Sequence, residues 1–170
     1  PHVFGDTKGL TPKAVEGLWD SIKAQEKASK AANHKLAAPE SALAGVPVTL
    51  PALTRALKLQ QKAGKVGFDW NDPLAVLAKI REEADEIEAE VKASRSTEAK
   101  AEVGDLMFAV VNLARHLDAD PEATLRATNA KFERRFASIE AALARQGRKP
   151  AEASLAEMDA LWDAAKAAES

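Results

Sequence analysis

A short polar residue precedes proline at three places, and each pair marks the start of a helix: Thr11-Pro12, Asp72-Pro73 and Asp120-Pro121. The polar side chain caps the free N–H groups of the first turn, where proline is tolerated because it has no N–H to satisfy. Ser154-x-x-Glu157 has the pattern of a capping box. No segment alternates as a strand would, and the chain is rich in Ala, Leu, Glu and Lys. The sequence therefore predicts an all-α fold, with helices near residues 12–34, 51–63, 73–93, 97–117, 121–145 and 154–168.

Composition excludes several classes of function. The net charge of −2 gives no basic surface for nucleic acid, and the absence of cysteine excludes disulfides and thiolate metal sites. The longest apolar run, Leu106–Val111, is too short to cross a bilayer, and no signal peptide is visible. We expect neither a nucleic-acid nor a membrane partner, and a cytoplasmic location, with which a cysteine-free chain is compatible.

Two parts of the chain share a sequence. Leu18–Glu26 matches Leu161–Glu169 at six of nine positions, including Leu-Trp-Asp in both copies, and a linker-like segment with two prolines covers 36–50. We interpret residues 1–45 as the tail of a preceding repeat plus a connector, and 46–170 as one domain. The alternative is chance similarity between two helices rich in Ala and Lys.

Two predicted helices each carry a pair of acids. Glu83 and Glu86 lie on one, and Glu102 and Asp105 lie on the next, beyond a short turn. Helices joined in this way pack antiparallel, and a rise of about 1.5 Å per residue brings the two pairs to similar heights. Gly104 would let a ligand or another backbone approach between the second pair. The spacing predicts a cluster of four carboxylates.

Such a cluster favours a cation. Two carboxylates about 6 Å apart repel by about 3 kcal/mol at an effective dielectric of about 20. Mg²⁺ commonly binds through a few carboxylates together with substrate phosphates. The alternative is a solvated Glu-rich face, with first-turn acids that the helix dipole favours.

The helix that carries Asp105 continues as an apolar stretch. Residues 106–114 are apolar nearly all round, interrupted by Asn112, and a helix of that kind is expected to be buried. Asn112 projects to nearly the same side as Asp105, where it would bind a ribose or a water on the cation. Its alternative role is a buried amide that is hydrogen-bonded across helices.

Several segments together resemble the MazG family. They are Glu82–Glu86, Glu102–His116, Asn129–Phe136, Val66–Trp70 and the closing Leu161-Trp162, in the family's order and spacing over about residues 47–168. The resemblance implies an all-α, MazG-like helical bundle completed by homodimerisation. It also implies hydrolysis of nucleoside triphosphates, NTP or dNTP, to the monophosphate and pyrophosphate. Mg²⁺ would be the cofactor, with Mn²⁺ as a substitute.

The resemblance also assigns residues. It implies that the metal is held by Glu83, Glu86, Glu102 and Asp105. The catalytic carboxylates would be Glu82, Glu83 and Glu86, with Glu82 or Glu83 accepting the proton of the attacking water. Residues 94–101 match the family only loosely, so no contact is assigned there.

A second set of residues would bind the substrate. The resemblance implies that Lys131 and Arg135 bind phosphates, that Lys79 assists them, and that Trp162 lies against the nucleotide. The alternatives are an ordinary basic face for the first two and core or interface packing for Trp162. Trp70 is expected to pack, and His116 to cap the end of its helix.

Two other functions remain open. One is a non-catalytic helical dimerisation or regulatory domain, against which the complete set of four acids argues. The other is a relative with a narrower substrate, such as a dUTP or phosphoribosyl-ATP hydrolase.

Overall fold

The computed structural model describes residues 24–25, 27 and 40–169, and the chain divides into two units, 1–44 and 45–170. Ala24, Gln25 and Lys27 are helical and exposed. The rest of the predicted helix 12–34 lies outside the described residues. The interpretation of this part as the tail of an earlier repeat stays a prediction.

The second unit is built from helices. They are α1 Ala52–Lys65, α2 Pro73–Lys92, α3 Ser96–His116, α4 Pro121–Ala144 and α5 Leu155–Ala168, with a 3-10 turn at Pro150–Glu152. The described part of the chain contains no strand. The all-α prediction is confirmed, and the five predicted helices of this unit lie within two residues of the observed ends.

The helix starts form as the side chains predict. Asp72 accepts a hydrogen bond from the backbone N–H of Leu74 at 2.9 Å, and Asp120 accepts one from Ala123 at 2.9 Å. Ser154 accepts one from Glu157 at 3.2 Å. These caps fix where α2, α4 and α5 begin.

The helices pack in two pairs. The hairpin of α2 and α3 is the most extensive contact, closed by a turn in which Ser94 has a φ of 57°. The helices α4 and α5 form the second pair, and α1 packs against α3 and α4. The side-chain amide of Gln60 on α1 donates to the carbonyl of Phe108 on α3 at 2.9 Å, which ties α1 to the hairpin.

One face of α3, which carries Met107 and Val110, is not covered within the chain. Ala109, Val111 and Asn112 are buried, but Met107 is 52% and Phe108 and Val110 are each 48% exposed. The prediction that residues 106–114 are buried on all sides is therefore wrong for this chain alone, because the neighbouring helices cover only one side of α3. Among the described residues, no helix combines the length and the apolar character that crossing a bilayer requires.

Candidate functional site

Three of the predicted acids meet between α2 and α3. Carboxylate oxygens of Glu83, Glu86 and Glu102 all lie within 4.8 Å of one another. Glu83 is buried, Glu102 is half-buried and Glu86 is exposed. Asp105, one turn after Glu102, is exposed and lines the same cleft as Glu83. The antiparallel hairpin thus brings carboxylates from two helices to one height.

A lysine pairs with two of the carboxylates that α2 carries. Lys79 Nζ lies 2.7 Å from Glu83 and 3.1 Å from Glu82, so the lysine is shared between neighbours on its own helix. The hydrogen bond from Lys79 lowers the pKa of Glu83 despite the burial of that carboxyl. The two glutamates, Glu83 above all, raise the pKa of Lys79.

Glu102 has the opposite electrostatic environment. Loss of solvation raises its pKa, and repulsion from Glu86, Asp105 and Glu83 adds to that effect. The carboxylates of the cluster therefore carry more negative charge than the ammonium of Lys79 neutralises. A site that binds an additional cation has this property.

A cleft of about 460 Å³ lies beside the acids. One part of its wall is charged and carries Lys79, Glu82, Glu83 and Asp105. The remaining wall is mostly apolar and is formed by Trp70, Ala75, Val76, Ala78, Phe108, Ala109 and the amide of Asn112. A ligand with one anionic and one flat, less polar end matches this division.

Trp70 departs from its predicted role. The side chain is 56% exposed on the cleft wall and contacts Phe68 edge to face, with ring centroids 5.6 Å apart. Trp70 comes two residues before the helix cap Asp72 and therefore lies on a loop. This position in the sequence could have indicated that its side chain is exposed.

Asn112 is buried, but its partner is on its own helix. Arg115 donates to the amide oxygen from Nε at 3.1 Å and from Nη2 at 2.7 Å. Arg115 is also paired with Asp69, whose pKa it lowers by hydrogen bonding, and His116 Nε2 lies 3.4 Å from Asp69. The Asp69–Arg115 pair was not predicted, because nothing in the spacing links a loop aspartate to an arginine so far along the chain.

The second predicted set gathers elsewhere, between α4 and α5. The Arg135 guanidinium lies 5.4 Å from the ring centroid of Trp162 and donates to Glu169 at 2.7 and 3.0 Å. Lys131 is close enough to contribute to the lowered pKa of Glu169, which Arg135 dominates. Lys131, Arg135 and Trp162 do not line the cleft beside the acids.

Comparison with known proteins points to one family. Residues 71–138 match the model of the MazG nucleotide pyrophosphohydrolase domain. A nucleoside triphosphate pyrophosphohydrolase of Escherichia coli K12 is 40% identical over 98% of this chain and 61% of its own length. A nucleoside triphosphate pyrophosphohydrolase/pyrophosphatase MazG of Thermotoga maritima is 39% identical over 98% of this chain and 59% of its own length. The chain thus spans about three fifths of the length of these relatives.

Proposed function

We propose that this chain, whose residues 71–138 match the MazG nucleotide pyrophosphohydrolase domain, belongs to the MazG family and hydrolyses nucleoside triphosphates to monophosphates and pyrophosphate. The observation that carries the proposal is the carboxylate cluster of Glu83, Glu86 and Glu102 beside a cleft with a charged and an apolar part. The names of the relatives from Escherichia coli and Thermotoga maritima support the same activity.

The donor set fits a hard divalent cation. All three clustered side chains offer oxygen, the chain has no cysteine, and Asp105 adds a further carboxylate on the cleft wall. Mg²⁺ prefers such ligands, and Mn²⁺ accepts them. We propose that Glu83, Glu86, Glu102 and Asp105 hold the ion. When bound, it would neutralise the triphosphate and polarise the bond between the α- and β-phosphates.

The chain's own side chains would orient and deprotonate the attacking water. Glu82 lines the cleft and is more than half exposed, so a water molecule can reach its carboxylate. Lys79 lies closer to Glu83 (2.7 Å) than to Glu82 (3.1 Å), and its hydrogen bond lowers the pKa of Glu83, which makes Glu83 the weaker proton acceptor. We therefore favour Glu82 over Glu83 as the general base. For Glu86, we propose the catalytic role that the resemblance implies, as a carboxylate of the cluster.

We further propose that Lys131 and Arg135 bind phosphate, that Lys79 assists, and that Trp162 lies against the nucleotide. Arg135 is presented over the Trp162 ring, and its guanidinium can bind an anion with two parallel hydrogen bonds. Within one chain, Lys131, Arg135 and Trp162 lie on the α4–α5 pair, whereas the acids of the cleft lie on the α2–α3 pair. The exposed apolar face of α3 supports homodimerisation. A dimer would contain two clefts and two sets of Lys131, Arg135 and Trp162.

The test is pyrophosphate release from NTPs in the presence of Mg²⁺. We expect Glu86→Gln to lower the rate by at least a hundredfold, because metal-assisted displacement depends on the ligand set. Glu88→Gln is the matched control, since Glu88 lies on the same helix and, within the part of the chain that the structure describes, pairs only with Lys92. Equal rates in wild type and Glu86→Gln would remove the proposed site.

A further inference from the structure

Asn112 lies on the cleft wall, and only the oxygen of its amide is hydrogen-bonded among the described residues. The residue is 7% exposed and lies on the cleft wall, and its oxygen accepts both hydrogen bonds from Arg115. Among the residues that the structure describes, its amide nitrogen forms no hydrogen bond, and it is not sealed from solvent. Arg115, which holds the amide oxygen, does not line the cleft, which leaves the NH₂ group as the end of the amide available to a ligand there.

Asp69 holds Arg115 in turn. Arg115 Nη1 donates to Asp69 Oδ2 at 2.9 Å, and Nη2 donates to Asp69 Oδ1. Both side chains are more than four-fifths buried. Residue 64 is glycine, and a Cβ there would lie 3.3 Å from Asp69 Oδ2, so α1 leaves just enough space for the carboxylate. The bonds form a chain from the loop before Trp70 to the amide on α3.

The amide lies away from the acids. Asn112 follows Asp105 by seven residues on α3, which is about 10 Å along the helix. Its neighbours on the cleft wall include Trp70 and Phe108. If the acids and their cation take the triphosphate, the nucleoside lies along this apolar part of the wall.

We infer that Asp69 and Arg115 are positioning residues that fix the orientation of the Asn112 amide. In this orientation the NH₂ group donates a hydrogen bond to an acceptor on the nucleoside of the substrate. This inference rests on the proposed function. An unrestrained amide presents either a donor or an acceptor to a ligand. The guanidinium has donors only, so it holds the amide oxygen and excludes the flipped orientation. The site then requires an oxygen or a ring nitrogen acceptor at this point of the nucleoside.

The test is a double-mutant cycle on pyrophosphate release. Asn112→Ala and Asp69→Asn should each raise KM by about fivefold to tenfold, the loss of one hydrogen bond, with kcat nearly unchanged. A contact made equally in the ground state and the transition state acts in this way. The double variant should be no worse than Asn112→Ala alone, because Asp69 acts through Asn112. Arg115→Lys should raise KM as Asp69→Asn does.

Inorganic tripolyphosphate, which lacks a nucleoside, identifies the contacted end of the substrate. Its inhibition constant should be the same in wild type and in both single variants. An inhibition constant that rises together with KM would place Asn112 on the phosphate chain and overturn the inference.

Two controls separate the possible failures. Asp159→Asn, an exposed aspartate on α5, should leave KM unchanged. A variant that is only less stable has a lower melting temperature and a smaller fraction of active enzyme, so its apparent kcat falls while its KM stays unchanged. That result would contradict a positioning role.

If wild type releases pyrophosphate and Glu86→Gln does not, unchanged KM values in the Asp69 and Asn112 variants overturn this inference alone. A wild type without activity overturns the proposed function and this inference with it.

Discussion

Glu83 is a buried carboxylate among other carboxylates, and Lys79 keeps it charged. The lysine lies 2.7 Å away on the preceding turn, and its hydrogen bond outweighs the effect of burial on the Glu83 pKa. Because the folded-state pKa is below the unfolded value, the pair stabilises the fold at neutral pH. That contribution disappears as the pH falls below the ordinary carboxyl pKa of 4.5 and through the lowered one.

We expect Lys79→Met to lower the melting temperature at pH 7 in the absence of metal, since it leaves Glu83 charged and without its partner. The difference from wild type should shrink near pH 4, where Glu83 without the lysine takes up a proton. Thermal unfolding across this pH range measures the effect.

Lys92→Met is the control for that prediction. Lys92 pairs with Glu88 at the same spacing, but both side chains are well exposed, and exposed pairs contribute little. Equal losses in the two variants would show that the burial of Glu83 does not matter.

At the scale of the helices, most of the architecture could be predicted from the sequence. Asp72, Asp120 and Ser154 cap the helices that they were expected to cap, because a cap depends on residues close in the chain. The meeting of Glu83, Glu86 and Glu102 also followed from helix geometry and a short turn. The Asp69–Arg115 pair could not be predicted in this way, since it depends on how a loop folds back onto α3.

Gly104 is a weak point within α3. A Cβ added there would meet nothing within 4 Å in the described structure. We expect Gly104→Ala to raise the free energy of unfolding by about 1 kcal/mol, the usual difference in helix propensity. Urea denaturation measures this change.

Activity of Gly104→Ala distinguishes two explanations of the glycine. Loss of turnover in a more stable protein would mean that a ligand or a second backbone approaches α3 at this position. A lower stability would contradict the open space around Gly104.

At the scale of the whole molecule, the apolar face of α3 is the largest departure from the sequence prediction. Composition correctly indicated an apolar helix, but hydropathy does not say whether a neighbour in the same chain or another molecule covers it. Met107 and Val110, which point to the same side of α3, are about half exposed, as expected for one side of a dimer interface, whereas Phe108 lines the cleft.

We expect the chain to be a dimer by light scattering and Met107→Glu to be a monomer, because a charge on this face loses its solvation on association. Leu155→Glu, at a 72% exposed position on α5, should remain a dimer. A monomeric wild type would contradict the proposed assembly.

The ammonium of Lys79 has a consequence for the divalent cation that we propose at the carboxylate cluster. It already neutralises part of the charge at Glu83, so the fold does not depend on the proposed divalent cation to offset that buried carboxylate. A chelator should therefore stop turnover while the protein stays folded. Metal supply would then be a reversible control on the proposed reaction, separate from the folding of the protein.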